Sequence, residues 1–190
     1  MTVADGDNVD LTNLQRQILY RGESVGKPKV EAARSALNAL NPDVAIVAIQ
    51  KRLEDFSGVA GADVVLDCSD NFATRHALNR ACVRHAKPLV SGAAIRFDGQ
   101  LAVFNVTKSS PCYACLFPED AQVEEVQCST MGVFAPLTGL VGVAQAMEAI
   151  KLLTGVGEPL DGRLAMLDAR NAEWRTVRVQ KDPACPICSG

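Results

Sequence analysis

Two Cys-x-x-Cys pairs, Cys112/Cys115 and Cys185/Cys188, constrain the fold of this 190-residue chain more than any other feature. Together they offer four thiolates, the ligand set of a closed tetrahedral zinc site with no open position for catalysis. The long stretch between the pairs rules out a compact zinc finger, so a shared ion would staple the extreme C-terminus to the middle of the chain. Two other readings stay open at this point: one pair is redox-active, or all four are ordinary thiols. The opening residues, Met1-Thr2-Val3-Ala4-Asp5, lack the basic region and apolar stretch of a secretory signal. A reducing, cytoplasmic setting is therefore expected, with cysteines as thiols or metal ligands.

The length suits a single domain over residues 1–190, with room for a small appended lobe. A net charge of −3, with no dense Lys/Arg cluster, excludes a surface built mainly for nucleic acid or anionic lipid. The segment Gly132 to Ile150 is apolar but contains Pro136, Gln145 and Glu148, and it reads as a buried helix rather than a membrane span.

In the first half, strand and helix alternate. Thr2-Val3-Ala4 reads as the tail of a strand ending at Asp5, and Leu11–Gln17 as a short helical turn. Val30, Ala33, Leu37 and Leu40 recur at helical spacing over 28–40, with Pro28 suited to the first turn. A strand over 44–49, a weaker helical stretch over 53–59, a strand over 63–68, a half-buried helix over 72–86 and a strand over 89–93 follow. That order implies βαβ units and a mostly parallel sheet with right-handed crossovers. From Asp98-Gly99, a turn signal, Leu101–Val106 forms the second arm of a hairpin and the sheet becomes antiparallel. The long helix ends at Gly155, and strands over 163–167 and 174–179 close the chain.

The run Ala62-Asp63-Val64-Val65-Leu66-Asp67-Cys68-Ser69-Asp70-Asn71 suggests a strand covered on both faces that stops at polar groups. Ligands of parallel sheets sit beyond the carboxyl ends of the strands, which would put Asp70 at a crevice. On pattern alone, Asp70 and Asn71 serve equally well as caps of the helix from Phe72. Asp5 resembles the acid that contacts a ribose in dinucleotide folds, and Asn13, Arg16 and Lys29 stand where cations and amides can meet phosphate oxygens. Cys128, in a polar loop before the long helix, is a candidate nucleophile or an inert thiol. Cys68 and Cys82 read as core, and His76 and His85 as surface or packing residues.

Taken together, these pieces resemble the ThiF/MoeB/HesA adenylyltransferases, bacterial relatives of the ubiquitin-activating enzymes. The resemblance rests on Asp5-Gly6-Asp7, Asn13-Leu14-Gln15-Arg16-Gln17, Gly26-Lys27-Pro28-Lys29, Asp67-Cys68-Ser69-Asp70-Asn71, Val90-Ser91-Gly92-Ala93, both knuckles and Ala144–Lys151. It implies a Rossmann-like, mostly parallel sheet continuing into an antiparallel lobe with a four-cysteine zinc site. The implied activity uses ATP and magnesium to adenylate the C-terminal glycine of a ubiquitin-like sulfur carrier, releasing pyrophosphate, in molybdopterin or thiamine synthesis. By position, Asp5 would hold the ribose, Asn13, Arg16 and Lys29 the triphosphate, and Asp70 the magnesium or the reacting phosphate. Cys112, Cys115, Cys185 and Cys188 match the structural zinc, and Cys128 the thiol that some members use in transfer. A homodimer, a carrier with a Gly-Gly tail and a separate sulfur donor are the implied partners.

Members of that family open with a strand, a Gly-rich turn and a helix that cradle phosphates. This chain begins inside the second strand, so a missing opening on the order of 30 residues is expected, with an exposed sheet edge and a broken phosphate site. The alternative function is a catalytically silent member that binds a carrier or an intact homologue. A tRNA-modifying dehydratase of the same superfamily fits the paired knuckles less well.

Overall fold

The structure, a computed structural model, describes residues 1–51, 57–120 and 132–189; Cys128 and the end of the acidic stretch after Glu119 lie outside them. The chain divides into two compact units, Met1–Asp55 and Phe56–Gly190.

In the first unit, β1 (Thr2–Ala4) pairs in parallel with β2 (Val47–Ile49), Thr2 opposite Val47. The connection between them is α1 (Lys29–Leu40), which starts after Pro28 and buries Val30 and Ala33. β2 is shorter than the expected strand over 44–49, because the Asn41 side chain accepts from the backbone N–H of Asp43 at 3.0 Å and holds the preceding residues in a turn. Part of the helical stretch expected over 53–59 lies outside the described residues; its end is a 3₁₀ turn over Ser57–Gly61.

The second unit is a five-stranded sheet in the order β3 (Val65–Asp67), β4 (Leu89–Ile95), β5 (Asp98–Phe104), β6 (Arg163–Asp168), β7 (Glu173–Arg178). β3 and β4 are parallel, joined through α2 (Phe72–Arg84), and the remaining pairings are antiparallel. A short helix, α3 (Tyr113–Leu116), carries the first knuckle, and the long α4 (Ala135–Thr154) lies across β4 and β5. Val90, Leu101, Val103, Ala144 and Ala165 form the buried seam between helix and sheet.

Three expectations are corrected. The hairpin turns at Arg96-Phe97, not at Asp98-Gly99, since Ile95 pairs with Asp98 and Ala94 with Gly99. Arg96 supplies the left-handed backbone of the turn at φ 49°. Gly99 serves packing instead: a Cβ there would stand 2.9 Å from Leu137 Cδ1 and 3.1 Å from Val141 Cγ2, so its absence lets α4 lie close to the sheet. β3 is not covered on both faces: alternation leaves Leu66 40 % exposed while Asp67 is buried. Likewise α4 is buried on one face only, with Leu140, Val143, Met147, Ile150 and Leu153 exposed on the other. The helix is long and apolar enough to cross a membrane by length and composition, but its inner face packs on the sheet and buries Gln145 and Glu148. It ends, as expected, at Gly155, whose left-handed backbone (φ 70°) directs its N–H to the Lys151 carbonyl at 2.8 Å.

Candidate functional site

The four knuckle cysteines converge. Their Sγ atoms all lie within 4.8 Å of one another, with Cys112 to Cys185 at 3.7 Å, Cys115 to Cys188 at 3.5 Å and Cys112 to Cys115 at 3.9 Å. None of the four is in a disulfide. A tetrahedral ion with Zn–S bonds near 2.3 Å sets its sulfurs about 3.8 Å apart, so donor type and spacing fit a four-thiolate zinc site. The site is locally built: α3 turns Cys115 back over Cys112, and the Cys185 carbonyl accepts from the Ser189 backbone N–H at 3.2 Å, closing the last turn.

Asn79, wholly buried on α2, was missed in the sequence. It donates toward Cys112 Sγ at 3.6 Å and accepts from the Tyr113 N–H at 2.9 Å, so it orients the first knuckle. Its signal was an asparagine in the apolar phase of a helix. His76 is a packing residue, stacked beside Phe72 and edge-on to Tyr113. Its Nδ1 is buried without a hydrogen bond, and burial holds its pKa below the ordinary value.

At the carboxyl end of β3, the two readings of Asp70 and Asn71 separate. Asn71 is the cap of α2, accepting from the Thr74 N–H at 2.8 Å, whereas Asp70 is exposed. The polar groups around the turn form a network that the sequence reading did not single out. Asp67, 2 % exposed, accepts from Ser69 and Ser91, and Gln145 reaches over from α4 to the Asp67 and Val90 carbonyls. Cys82 is core, as expected, and burial pushes its thiol up to about 12. Cys68 is corrected: its residue is exposed, just past the end of β3, the terminal strand of the five-stranded sheet. Its thiol nonetheless points back toward Gln145, and desolvation followed by the Asp67 charge raises its pKa.

In the first unit the expected phosphate and ribose residues are partly assembled. Lys29, 12 % exposed, places Nζ 3.6 Å from Asp5 Oδ2 and 3.1 Å from Asp7 Oδ2. The backbone fixes this: the Lys29 N–H donates to the Asp7 carbonyl at 3.0 Å, and the Asp5 carboxylate accepts from the Asp7 N–H at 2.8 Å. Desolvation, then the charge of Asp5, raises the pKa of Tyr20. Asn13 and Arg16 are not drawn to that cluster. Asn13 Oδ1 accepts from the Asp10 N–H at 3.3 Å, closing a capping box, and Arg16 donates to the Thr12 carbonyl at 3.3 Å. The cluster thus sets one ammonium between two carboxylates at the end of a parallel strand, the place where ligands of such sheets bind.

Comparison with known proteins follows the same lines. The ThiF family model matches residues 1–187, spanning both units. The chain is 45 % identical over 194 aligned positions to the molybdopterin-synthase adenylyltransferase of Escherichia coli, covering 99 % of this chain and 76 % of that one. It is 44 % identical over 193 to the sulfur carrier protein ThiS adenylyltransferase of the same organism, covering 100 % and 76 %. Among solved structures, E. coli MccB with ATP superposes with a TM-score of 0.82 at 20 % identity, covering 98 % of this chain and 58 % of MccB, which shows a shared fold. On the family match and these identities, the chain belongs to the ThiF family.

Proposed function

We propose that this protein adenylates the C-terminal glycine of a ubiquitin-like sulfur-carrier protein at the expense of ATP. The observation that carries the reading is the near-complete alignment, at 44–45 % identity, with relatives named molybdopterin-synthase and sulfur carrier adenylyltransferases. In the reaction, a carboxylate oxygen of the terminal glycine attacks the α-phosphorus, the bond from that phosphorus to the bridging oxygen breaks, and pyrophosphate leaves. Both reactants are anionic, so the protein must supply positive charge where they meet. Lys29 and Arg16, with Asn13, take the triphosphate, and Asp5 takes the ribose hydroxyls. The Asp5–Lys29 pairing supports this division, because it puts a hydroxyl acceptor beside a phosphate cation. Asp70 would hold magnesium or meet the reacting phosphate, and magnesium, when bound, would offset the charge of the phosphates. Cys112, Cys115, Cys185 and Cys188 hold zinc in a structural role, and Cys128 is available for thiol transfer.

The partner is a carrier with a flexible Gly-Gly tail, with sulfur coming from a separate donor. The two E. coli relatives match almost equally, so either the molybdopterin or the thiamine carrier suits. The protein acts as a homodimer through the outer face of α4. Leu140, Val143, Met147, Ile150 and Leu153 run along it beside Gly139, Gly142 and Ala146, without a charged side chain among them. With Phe134 and Val156, burying these groups between two copies removes on the order of 1,300 Å² of surface, the size of a specific interface.

Carrier-dependent exchange of labelled pyrophosphate into ATP tests the activity. Exchange requiring an intact tail is expected. Tight carrier binding without exchange would instead support a silent binding module.

A further inference from the structure

Burying a carboxylate is costly unless hydrogen bonds compensate it, and an apolar side chain would fill the same space at the end of β3 without that cost. Asp67 is nevertheless 2 % exposed there, three residues before Asp70. Its Oδ1 accepts from the backbone N–H of Ser69 at 3.0 Å and from the Ser69 hydroxyl at 2.6 Å, and its Oδ2 accepts from the Ser91 hydroxyl at 3.0 Å. The carboxylate thus fixes the backbone that turns out of the strand toward Asp70.

Gln145 clamps the same turn from the helix side. Also 2 % exposed, it donates from Nε2 to the carbonyl oxygens of Asp67 at 2.8 Å and Val90 at 3.2 Å, tying the carboxyl end of β3 to the first half of β4. Arg75 completes the enclosure by donating to the Ser69 carbonyl at 2.5 Å and the Gly92 carbonyl at 3.3 Å. Room for the carboxamide comes from Gly92, where a Cβ would stand 2.4 Å from the Gln145 Cδ and Oε1. Every bond in this network ends on residues 67–69 or on the neighbouring strand, so what the network determines is the path of the backbone to Asp70.

We propose that Asp67 and Gln145 are positioning residues that set the location of the Asp70 carboxylate, with Gly92 as the residue that admits the Gln145 clamp. The role of Asp70 in this proposal rests on the adenylation reading above.

The test compares Asp67→Ala, Asp67→Asn, Gln145→Leu and Gly92→Ala in the full chain, each also in the Asp70→Asn background. Amide hydrogen exchange at Ser69, whose N–H is bonded to Asp67 Oδ1, reads positioning independently of turnover. It is expected to rise by about tenfold or more in Asp67→Ala and Gln145→Leu, with the β4–β5 amides unaltered. In carrier-dependent pyrophosphate exchange, kcat is expected to fall by about tenfold or more and the magnesium midpoint to rise, while KM for ATP holds within about twofold. Asp67→Asn should restore most of the loss, since its amide keeps the Ser69 contacts and can donate to Ser91. In the Asp70→Asn background the same changes should add nothing. Unaltered exchange at Ser69, losses that add to that of Asp70→Asn, or an asparagine as damaging as alanine would each overturn the proposal. Gly92→Ala displaces the clamp without altering Asp67 or Gln145, so it keeps the test decisive if Asp67→Ala does not fold. The expected amide changes in the variants, together with no pyrophosphate exchange by the wild-type protein, would refute the adenylation reading instead.

Discussion

Replacing Cys185 and Cys188 together by serine removes half of the thiolate set and releases the C-terminus from α3. The effect can be estimated from the separation of the partners, since Cys112 and Cys185, like Cys115 and Cys188, lie 73 residues apart. Treating the metal as a cross-link, closing a loop of that length lowers the entropy of the unfolded chain by an amount worth about 4 kcal/mol at 25 °C. Against a typical domain stability of about 5–15 kcal/mol this is a large fraction, and it corresponds to a fall in Tm on the order of 10 °C. Cys112 and Cys185 are themselves buried, with Val83 and Ile187 packed around them, so lost packing adds to the effect. The assay is thermal unfolding with metal content measured on the same samples, for wild type, the double variant and Cys68→Ser. The double variant should lose its zinc and melt well below wild type, and chelation of wild type should reproduce the shift. Cys68→Ser should keep its metal and melt near wild type. A double variant that melts with wild type, or a wild type whose Tm is indifferent to chelation, would refute the staple.

Gly99→Ala should destabilise by about 1–3 kcal/mol in denaturant titration, because its Cβ meets Leu137 and Val141 and α4 must shift away from the sheet. Stability should fall as the pH drops below about 6.5. His76 has a folded pKa held down by burial, so the unfolded chain takes up its proton first, and the contribution present above the unfolded pKa is lost as the pH falls toward the folded one. His76→Phe should flatten that part of the profile, and an unaltered slope would contradict the assignment. Cys82, with its thiol pushed up to about 12, should resist alkylation at neutral pH until the protein unfolds, as mass mapping of labelled peptides would show. Met147→Glu should convert a dimer to a monomer in sedimentation, since it places a charge in the middle of the apolar face of α4.

Much of the fold was legible because period and punctuation agreed. Pro28 and the apolar spacing after it located α1, Asn71 capped α2, and Gly155 ended α4. The knuckles were legible because the ligand type and spacing of a metal site are written locally, even when its halves are far apart. The hairpin was misplaced by two residues because Asp98-Gly99 carries the composition of a turn while Gly99 is selected by the close approach of α4. Hydrophobicity also could not tell which face of α4 or β3 would be covered. Leu140 and Leu137 look alike in a sequence, and only the sheet's position separates them. The network around Asp67 stayed hidden for a related reason: its members, Asp67, Ser69, Ser91 and Gln145, are scattered along the chain and meet only when α4 crosses the strand ends.

The most direct test of adenylation is the intact mass of the carrier after incubation with this protein, ATP and magnesium. The carrier is expected to gain one adenylate at its terminal glycine, to lose the gain when that glycine is deleted, and to lose it again with Lys29→Ala. A carrier that binds but never gains the adenylate, under conditions where an established sulfur-carrier adenylyltransferase modifies it, would contradict the proposed function.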